Sequence, residues 1–191
     1  MTREPKRILM TGAAGQIGSE LARALRQKYG DANVIVTDLF RPAGELAEAG
    51  PFELLDVTDA KAVDTLIAKF GVDTIYHLAA LLSATGEKNP QKAWNVNMNG
   101  LYNVLEVARA RGLVRVFSPS SIAVFGPSTP REMTPQDTVL GPTTMYGVTK
   151  VSGELLCDYY VQKYGLDVRG CRYPGIISHL TLPGGGTTDY A

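Results

Sequence analysis

Cysteine, histidine and tryptophan are scarce in this chain of 191 residues, which has two, two and one of them. Cys157 and Cys171 make no disulfide framework, and a reduced, cytoplasmic setting suits them. His77 and His179 show no metal-ligand spacing, so no metal is expected. Net charge is missing too, with 19 basic side chains against 19 acidic ones. That balance argues against the basic surface with which a protein holds nucleic acid. No apolar run approaches the roughly 20 residues that span a bilayer, so no membrane partner is expected. The N-terminus, Met1-Thr-Arg-Glu-Pro-Lys-Arg7, runs directly into a strand-like segment and is not a signal peptide. Internal repeats and low-complexity tracts are absent as well.

What the chain does have is an alternation of short apolar runs and amphipathic helices. Strands are expected at 7–11, 33–38, 52–55, 74–78, 114–118 and 166–171. Helices are expected over 16–29, from an N-cap at Asp59 to Phe70, over 91–111, and over 146–164 with Gly165 closing the last. Continuously apolar strands separated by helices imply a parallel sheet covered on both faces. The expected fold class is therefore α/β, a doubly wound parallel sheet of the Rossmann type. With 45% hydrophobic and 20% charged residues, the composition is that of an ordinary soluble domain. Residues 1–180 are expected to form a dinucleotide-binding domain. Residues 181–191 carry Thr187, Thr188 and Asp189, helix-starting residues with only Tyr190 and Ala191 after them. They read as the start of a substrate-binding region whose remainder, a C-terminal domain, is missing.

The first strand runs into Thr11-Gly12-Ala13-Ala14-Gly15-Gln16-Ile17-Gly18, which opens a helix. Glycines there allow a tight turn and let the backbone approach a pyrophosphate. The helix N-terminus then offers N–H groups and partial positive charge to the phosphates. Asp38 ends the second strand, 20 residues after Gly18. A carboxylate at that place accepts from both ribose hydroxyls and repels a 2′-phosphate, so NAD is the expected cofactor. Arg41 is a contrary sign, since a nearby arginine can accommodate that phosphate. Asp56 and Val57 can hold the adenine edge, or Asp56 can simply make a turn with Thr58.

Tyr146-Gly-Val-Thr-Lys150 sits in the last helix, 25 residues after Ser121. Positions i and i+4 share a helix face, so phenol and ammonium can enter one cleft. A tyrosine with a pKa of about 10 is a poor base at neutral pH. Lowering it by about 3 units takes roughly 4 kcal/mol, which Lys150 and a positively charged nicotinamide can supply together. Ser121 can hold the substrate oxygen while its proton leaves. This is a device for oxidising an alcohol or reducing a ketone. The ordinary reading of Ser121 is a strand-end hydroxyl bonded to nearby backbone.

Taken together, Thr-Gly-x-x-Gly-x-x-Gly, His77-Leu-Ala-Ala80, Asn97-Met-Asn-Gly100, Ser120-Ser121 before Val124-Phe-Gly126, and Tyr146-x-x-x-Lys150 resemble the extended short-chain dehydrogenase/reductase superfamily, which includes the NAD-dependent epimerases and dehydratases. Within it, the stretches 80–90, 119–127, 172–178 and 183–190 are similar to the NAD-dependent L-threonine 3-dehydrogenases. The resemblance implies an oxidoreductase that converts L-threonine to 2-amino-3-ketobutyrate in threonine catabolism. It assigns Tyr146 as base, Lys150 as its modulator and cofactor contact, and Ser121 as the hydroxyl-binding partner. It places Leu78, Ala79, Ala80, Asn97 and Tyr173 along the cofactor, with Asn97 at the nicotinamide ribose. It places Ser83 and Thr187 against the amino acid, with Asp189 supporting that loop. A homodimer through the helices at 91–111 and 146–164 is implied as well.

Two other readings stay open. A nucleotide-sugar epimerase shares the outline of the first 150 positions. A sugar dehydratase usually carries an acidic pair after the serine, where this chain has Ile122-Ala123. The third reading is an NAD-binding module without turnover.

Overall fold

A computed structural model describes residues 4–176. Its elements, in chain order, begin with β1 (Ile8–Thr11), α1 (Gln16–Tyr29), β2 (Val34–Asp38), α2 (Glu45–Glu48), β3 (Phe52–Leu54), α3 (Ala60–Phe70) and β4 (Thr74–His77). There follow α4 (Ser83–Lys88), α5 (Pro90–Trp94), a π-helical stretch (Asn95–Asn99), α6 (Gly100–Arg111), β5 (Arg115–Phe117) and β6 (Ser120–Ser121). The series closes with α7 (Met145–Tyr164), β7 (Val168–Arg169) and β8 (Arg172–Tyr173).

Six strands form one sheet in the order β3-β2-β1-β4-β5-β7, and every pair in it is parallel. The order reverses direction between β1 and β4. A parallel doubly wound sheet leaves a crevice there, beyond the carboxyl ends of the strands. Side chains alternate across the sheet and define two cores. Leu9, Ile35, Ile75 and Val116 join Val63, Ile67, Val104, Leu105 and Tyr160 on the face covered by α3, α6 and α7. Ile8, Met10, Val34 and Val36 join Ala22 and Leu25 of α1 on the other. All eight sheet residues are fully buried, so the strands had to be apolar throughout.

The expected strands and helices are present, several of them shorter than the sequence suggested. Asp59 caps α3 by accepting from Ala62 N at 3.0 Å, and Gly71 ends that helix in the left-handed region. Thr144 caps α7 by accepting from Gly147 N at 3.0 Å, and Gly165 closes it. The expected helix at 91–111 is continuous in backbone from Pro90 to Arg111, with the π-helical stretch inside it. The sixth sheet strand is two residues long, Val168–Arg169, and Gly170 follows it. There a β-carbon would lie 2.2 Å from the Ser118 carbonyl oxygen. Three features were not foreseen: α2, α4, and a small second sheet in which β6 and β8 pair in parallel. No helix among the described residues is long and apolar enough to cross a membrane.

Candidate active site

A cavity of about 810 Å³ opens at the carboxyl ends of the strands, over the β1–β4 switch. One end is built by the loop between β1 and α1. Gly12 has φ +66, and a β-carbon there would lie 2.6 Å from Ala79 N, so only glycine fits both the turn and the contact. Gly12, Gly15, Gln16, Ile17 and Gly18 all line the cavity. The first turn of α1 carries no acidic residue, which leaves its N-terminal partial charge uncompensated for an anion.

Asp38 stands on the same wall. Its carboxylate accepts from Ala14 N at 2.9 Å and from Leu39 N at 2.7 Å, which clamps the carboxylate to the glycine loop. Further lone pairs remain for hydroxyls of a ligand. Arg41 is turned elsewhere. Its guanidinium donates to the Ala47 carbonyl at 2.8 Å and stacks 5.1 Å from the Phe52 ring. It does not line the cavity, which removes the contrary sign read from the sequence. Asp56 and Val57 do line it. Asp56 also makes the turn, accepting from Thr58 N and Thr58 Oγ1 at 2.9 and 2.7 Å. Leu78, Ala79 and Ala80 form the floor. The tight glycine cradle, the α1 N-terminus and the clamped carboxylate together fit a dinucleotide.

The other end carries the polar residues. Ser121, Tyr146, Lys150, Tyr173 and Ser83 all line the cavity. Gly147 makes this convergence possible. A β-carbon there would stand 2.3 Å from the Ala123 carbonyl oxygen, so only glycine lets α7 press onto the loop that follows Ser121. The Tyr146 phenol is buried, with 7% of the residue exposed. Burial raises its pKa above the ordinary 10, and a hydrogen bond with Ser121 draws it partly back. Ser121 Oγ also accepts from Ala123 N at 3.2 Å, the local bond expected of a strand-end serine. Its two roles share one hydroxyl.

Lys150 lies one turn along α7. Its amine donates to the Pro119 carbonyl at 2.8 Å and stands 5.5 Å from the centre of the Tyr146 ring. Burial lowers its pKa to about 8, against smaller raising effects from Cys157 and Glu154. The sequence suggested a lysine-lowered phenol. In the structure of the chain alone, burial is the largest effect on the phenol and raises it, with Ser121 opposing.

Asn97 lies deeper and makes backbone bonds, a role compatible with the cofactor contact that the resemblance implies. Its amide oxygen accepts from Leu81 N at 2.8 Å, and its nitrogen donates to Leu81 O and Thr149 Oγ1, both at 3.0 Å. It borders a second, polar cavity of about 300 Å³ behind Lys150 and holds Leu81 and α7 in place. Thr187 and Asp189 lie outside the described residues. His77 is fully enclosed and tied to Thr11 Oγ1 through Nδ1 at 2.9 Å. Burial, then the nearby Lys150, lowers its pKa to about 3. Among the described residues no cluster of histidine, cysteine and carboxylate can hold a metal.

Sequence reasoning passed over Leu39, Phe40, Lys92, Val96 and Ile122, all on the cavity wall. A signal was there for two of them. Leu39 and Phe40 are large apolar residues straight after the strand-ending Asp38, and they are 66% and 61% exposed. Apolar side chains left bare beside a binding carboxylate point to a flat ligand surface. Lys92 and Val96 are spaced i, i+4 on one helix face, but nothing in the sequence says which face meets the cavity.

Fold and site together put a glycine-rich turn and a strand-end carboxylate at one end of a single cavity and a serine, a tyrosine and a lysine at the other. Residues 8–186 match the model of the NAD dependent epimerase/dehydratase family, and the chain belongs to that family. Among curated relatives, an uncharacterized epimerase/dehydratase of Staphylococcus saprophyticus is 58% identical over 187 residues, covering 97% of this chain and 58% of the relative. Among solved structures, the L-threonine dehydrogenase of Clostridium difficile superposes with a TM-score of 0.95 at 57% identity, covering 98% of this chain and 59% of that one. A UDP-glucose 4-epimerase from Brucella ovis, in complex with NAD, superposes with a TM-score of 0.80 at 27% identity, covering 89% and 52%. The chain thus spans less than two thirds of the length of these proteins.

Proposed function

We propose that this chain is the NAD-binding and catalytic part of an L-threonine 3-dehydrogenase. The observation that carries this reading is the convergence of Ser121, Tyr146 and Lys150 on a cavity whose other end fits a dinucleotide. The 57% identity to the Clostridium difficile L-threonine dehydrogenase supports the choice of substrate. NAD binds along Gly12, Gly15, Gln16, Ile17 and Gly18, with Asp38 on the adenosine ribose, Asp56 and Val57 at the adenine, and Leu78, Ala79 and Ala80 beneath. Asp38 selects NAD over NADP by repelling a 2′-phosphate.

The β-hydroxyl of threonine sits between Ser121 and Tyr146. The phenolate of Tyr146 takes the hydroxyl proton, and Ser121 holds the oxygen as it becomes a carbonyl. Lys150, cationic in most molecules at neutral pH, favours the phenolate and contacts the nicotinamide ribose. NAD held there would supply the oxidant, as the acceptor of the β-carbon's hydride. The product is 2-amino-3-ketobutyrate. Tyr173 shapes the nicotinamide end, and Asn97 acts there through Leu81 and Thr149. Ser83, Thr187 and Asp189 complete the amino-acid side.

The test is NADH formation from L-threonine and NAD, run on this chain and on a chimera that adds the remaining C-terminal part of the Clostridium difficile enzyme. Turnover in either, lost on Tyr146→Phe, is the expected result. NAD binding without turnover in both refutes the reading. Nucleotide-sugar epimerisation is the second reading, favoured by the superposition on the Brucella ovis epimerase. An epimerase regenerates its own cofactor, so NAD that survives purification and UDP-sugar turnover would select it.

A further inference from the structure

Arg172 makes more contacts than any role so far given to it requires. Its guanidinium donates bidentately to Glu154, Nε to Oε1 at 2.9 Å and Nη2 to Oε2 at 2.8 Å. Nη1 donates to the Gln136 carbonyl at 3.0 Å, and the group lies 5.4 Å from the centre of the Phe125 ring. Both partners of the ion pair are largely buried, with side-chain exposures of 14% and 23%. A bidentate pair of this kind fixes direction as well as distance.

Its placement gives the pair a task. Glu154 is one turn beyond Lys150 on α7, and Lys150 is one turn beyond Tyr146. Arg172 pairs in register with Ser120 in the small second sheet, and Tyr173 pairs with Ser121. The pair therefore bolts the helix that carries Tyr146 and Lys150 to the strands that carry Ser121 and Tyr173. Gln136 and Phe125 bring in the chain segment that joins Ser121 to α7. Ser120 Oγ is buried without a partner at ordinary hydrogen-bond geometry, yet lies near enough to help hold the Glu154 carboxylate in its charged form.

We propose that the Arg172–Glu154 ion pair is a strut that sets the distance between Ser121 and Tyr146. Neither residue lines the cavity that holds Ser121 and Tyr146, so both act as positioning residues. The proposal rests on reading Ser121 and Tyr146 as the pair that takes a substrate hydroxyl, but its test does not depend on turnover.

The test uses chain labelled with 3,5-difluorotyrosine and titrated by ¹⁹F NMR, with the Tyr146 resonance assigned by its loss in Tyr146→Phe. Charged and titratable groups on the elements packed against that phenol are Lys150, Glu154 and Cys157 on α7, Glu87 of α4, whose carboxylate accepts from Met145 N at 2.6 Å, Lys92 of α5 and Tyr173 of β8, with His77 near Lys150 and with Asp38 and Asp56 at the other end of the cavity. Ser121→Ala removes the hydrogen bond and raises the phenol pKa by about 0.5–1 unit. Arg172→Met and Glu154→Gln both raise it in the same direction, and Arg172→Lys restores part of the change. On the Ser121→Ala background neither variant shifts it further. Direct electrostatics gives a different pattern, since loss of the guanidinium raises a phenol pKa and loss of the carboxylate lowers it. Opposite shifts, no shift, or equal shifts with and without Ser121 each overturn the strut. So does a phenol that ignores Ser121→Ala. If Arg172→Met fails to fold, Glu154→Gln and Arg172→Lys carry the same comparison. A strut that passes while L-threonine goes unoxidised refutes the substrate assignment alone.

Discussion

Lys150 should make the chain less stable than it would be without it. The amine is held at a pKa of about 8 in the folded chain, against an ordinary 10.5, and burial is the largest cause. Below pH 8 the folded protein keeps this lysine charged in a poorly solvating place. That difference amounts to roughly 3 kcal/mol against folding. The sign follows from proton counting. Between about pH 8 and 10.5 the unfolded chain holds the proton and the folded chain has released it, so stability rises with pH through that window. Both cavities reach Lys150 and can bring water to it, which makes 3 kcal/mol an upper figure. Replacing Lys150 with methionine also leaves the Pro119 carbonyl without its donor, a loss of about 1 kcal/mol.

The expected net effect of Lys150→Met is therefore a gain of about 1–2 kcal/mol at pH 7, shrinking to nothing or to a small loss by pH 10.5. Urea unfolding of both proteins at pH 7, 9 and 10.5, followed by circular dichroism, measures it. A variant less stable than the parent at pH 7 would refute the reasoning, and so would a gain that ignores pH. NAD binding should weaken in the same variant. A residue that costs stability and improves the site is what a stability–function trade-off predicts.

Two further outcomes follow from the same geometry. His77 is held neutral, with its pKa near 3 against 6.5, so stability should fall as pH drops below 6.5, by about 2–3 kcal/mol at pH 4.5; urea midpoints of the parent and His77→Gln over that range check it, and the variant should show the shallower slope. Gly12→Ala combines positive φ with a β-carbon 2.6 Å from Ala79 N and should cost about 3 kcal/mol or more while abolishing NAD binding, read by thermal melts and by titration calorimetry.

How much of this was legible beforehand depends on how local each cause is. The sheet was readable because Ile8, Leu9, Met10, Val34, Ile35 and Val36 are buried on both faces, which demands unbroken apolar runs. Gly165 and the capping residue Asp59 act within one turn of themselves, so those helix ends follow from neighbours in sequence. The Thr144 cap is equally local and went unread. Gly12 and Asp38 were legible for a different reason: a phosphate-binding turn needs its parts at fixed spacing after a strand. The second sheet was not. Ser120 meets Arg172 across 52 positions, and two-residue strands carry no periodicity to read. The pKa of Tyr146 could not be read either. Its motif supplies the lysine, but the sign of the shift depends on how deeply the fold buries the phenol, against the hydrogen bond with Ser121. Asn97 shows the same divide within one residue. Its type and place suggested a cofactor contact, while its three bonds, to Leu81 and Thr149, come from two segments that only the fold brings together. In this chain the side chains read as the reacting group come from short local motifs, whereas long-range contacts such as Arg172 with Glu154 join the elements that carry them.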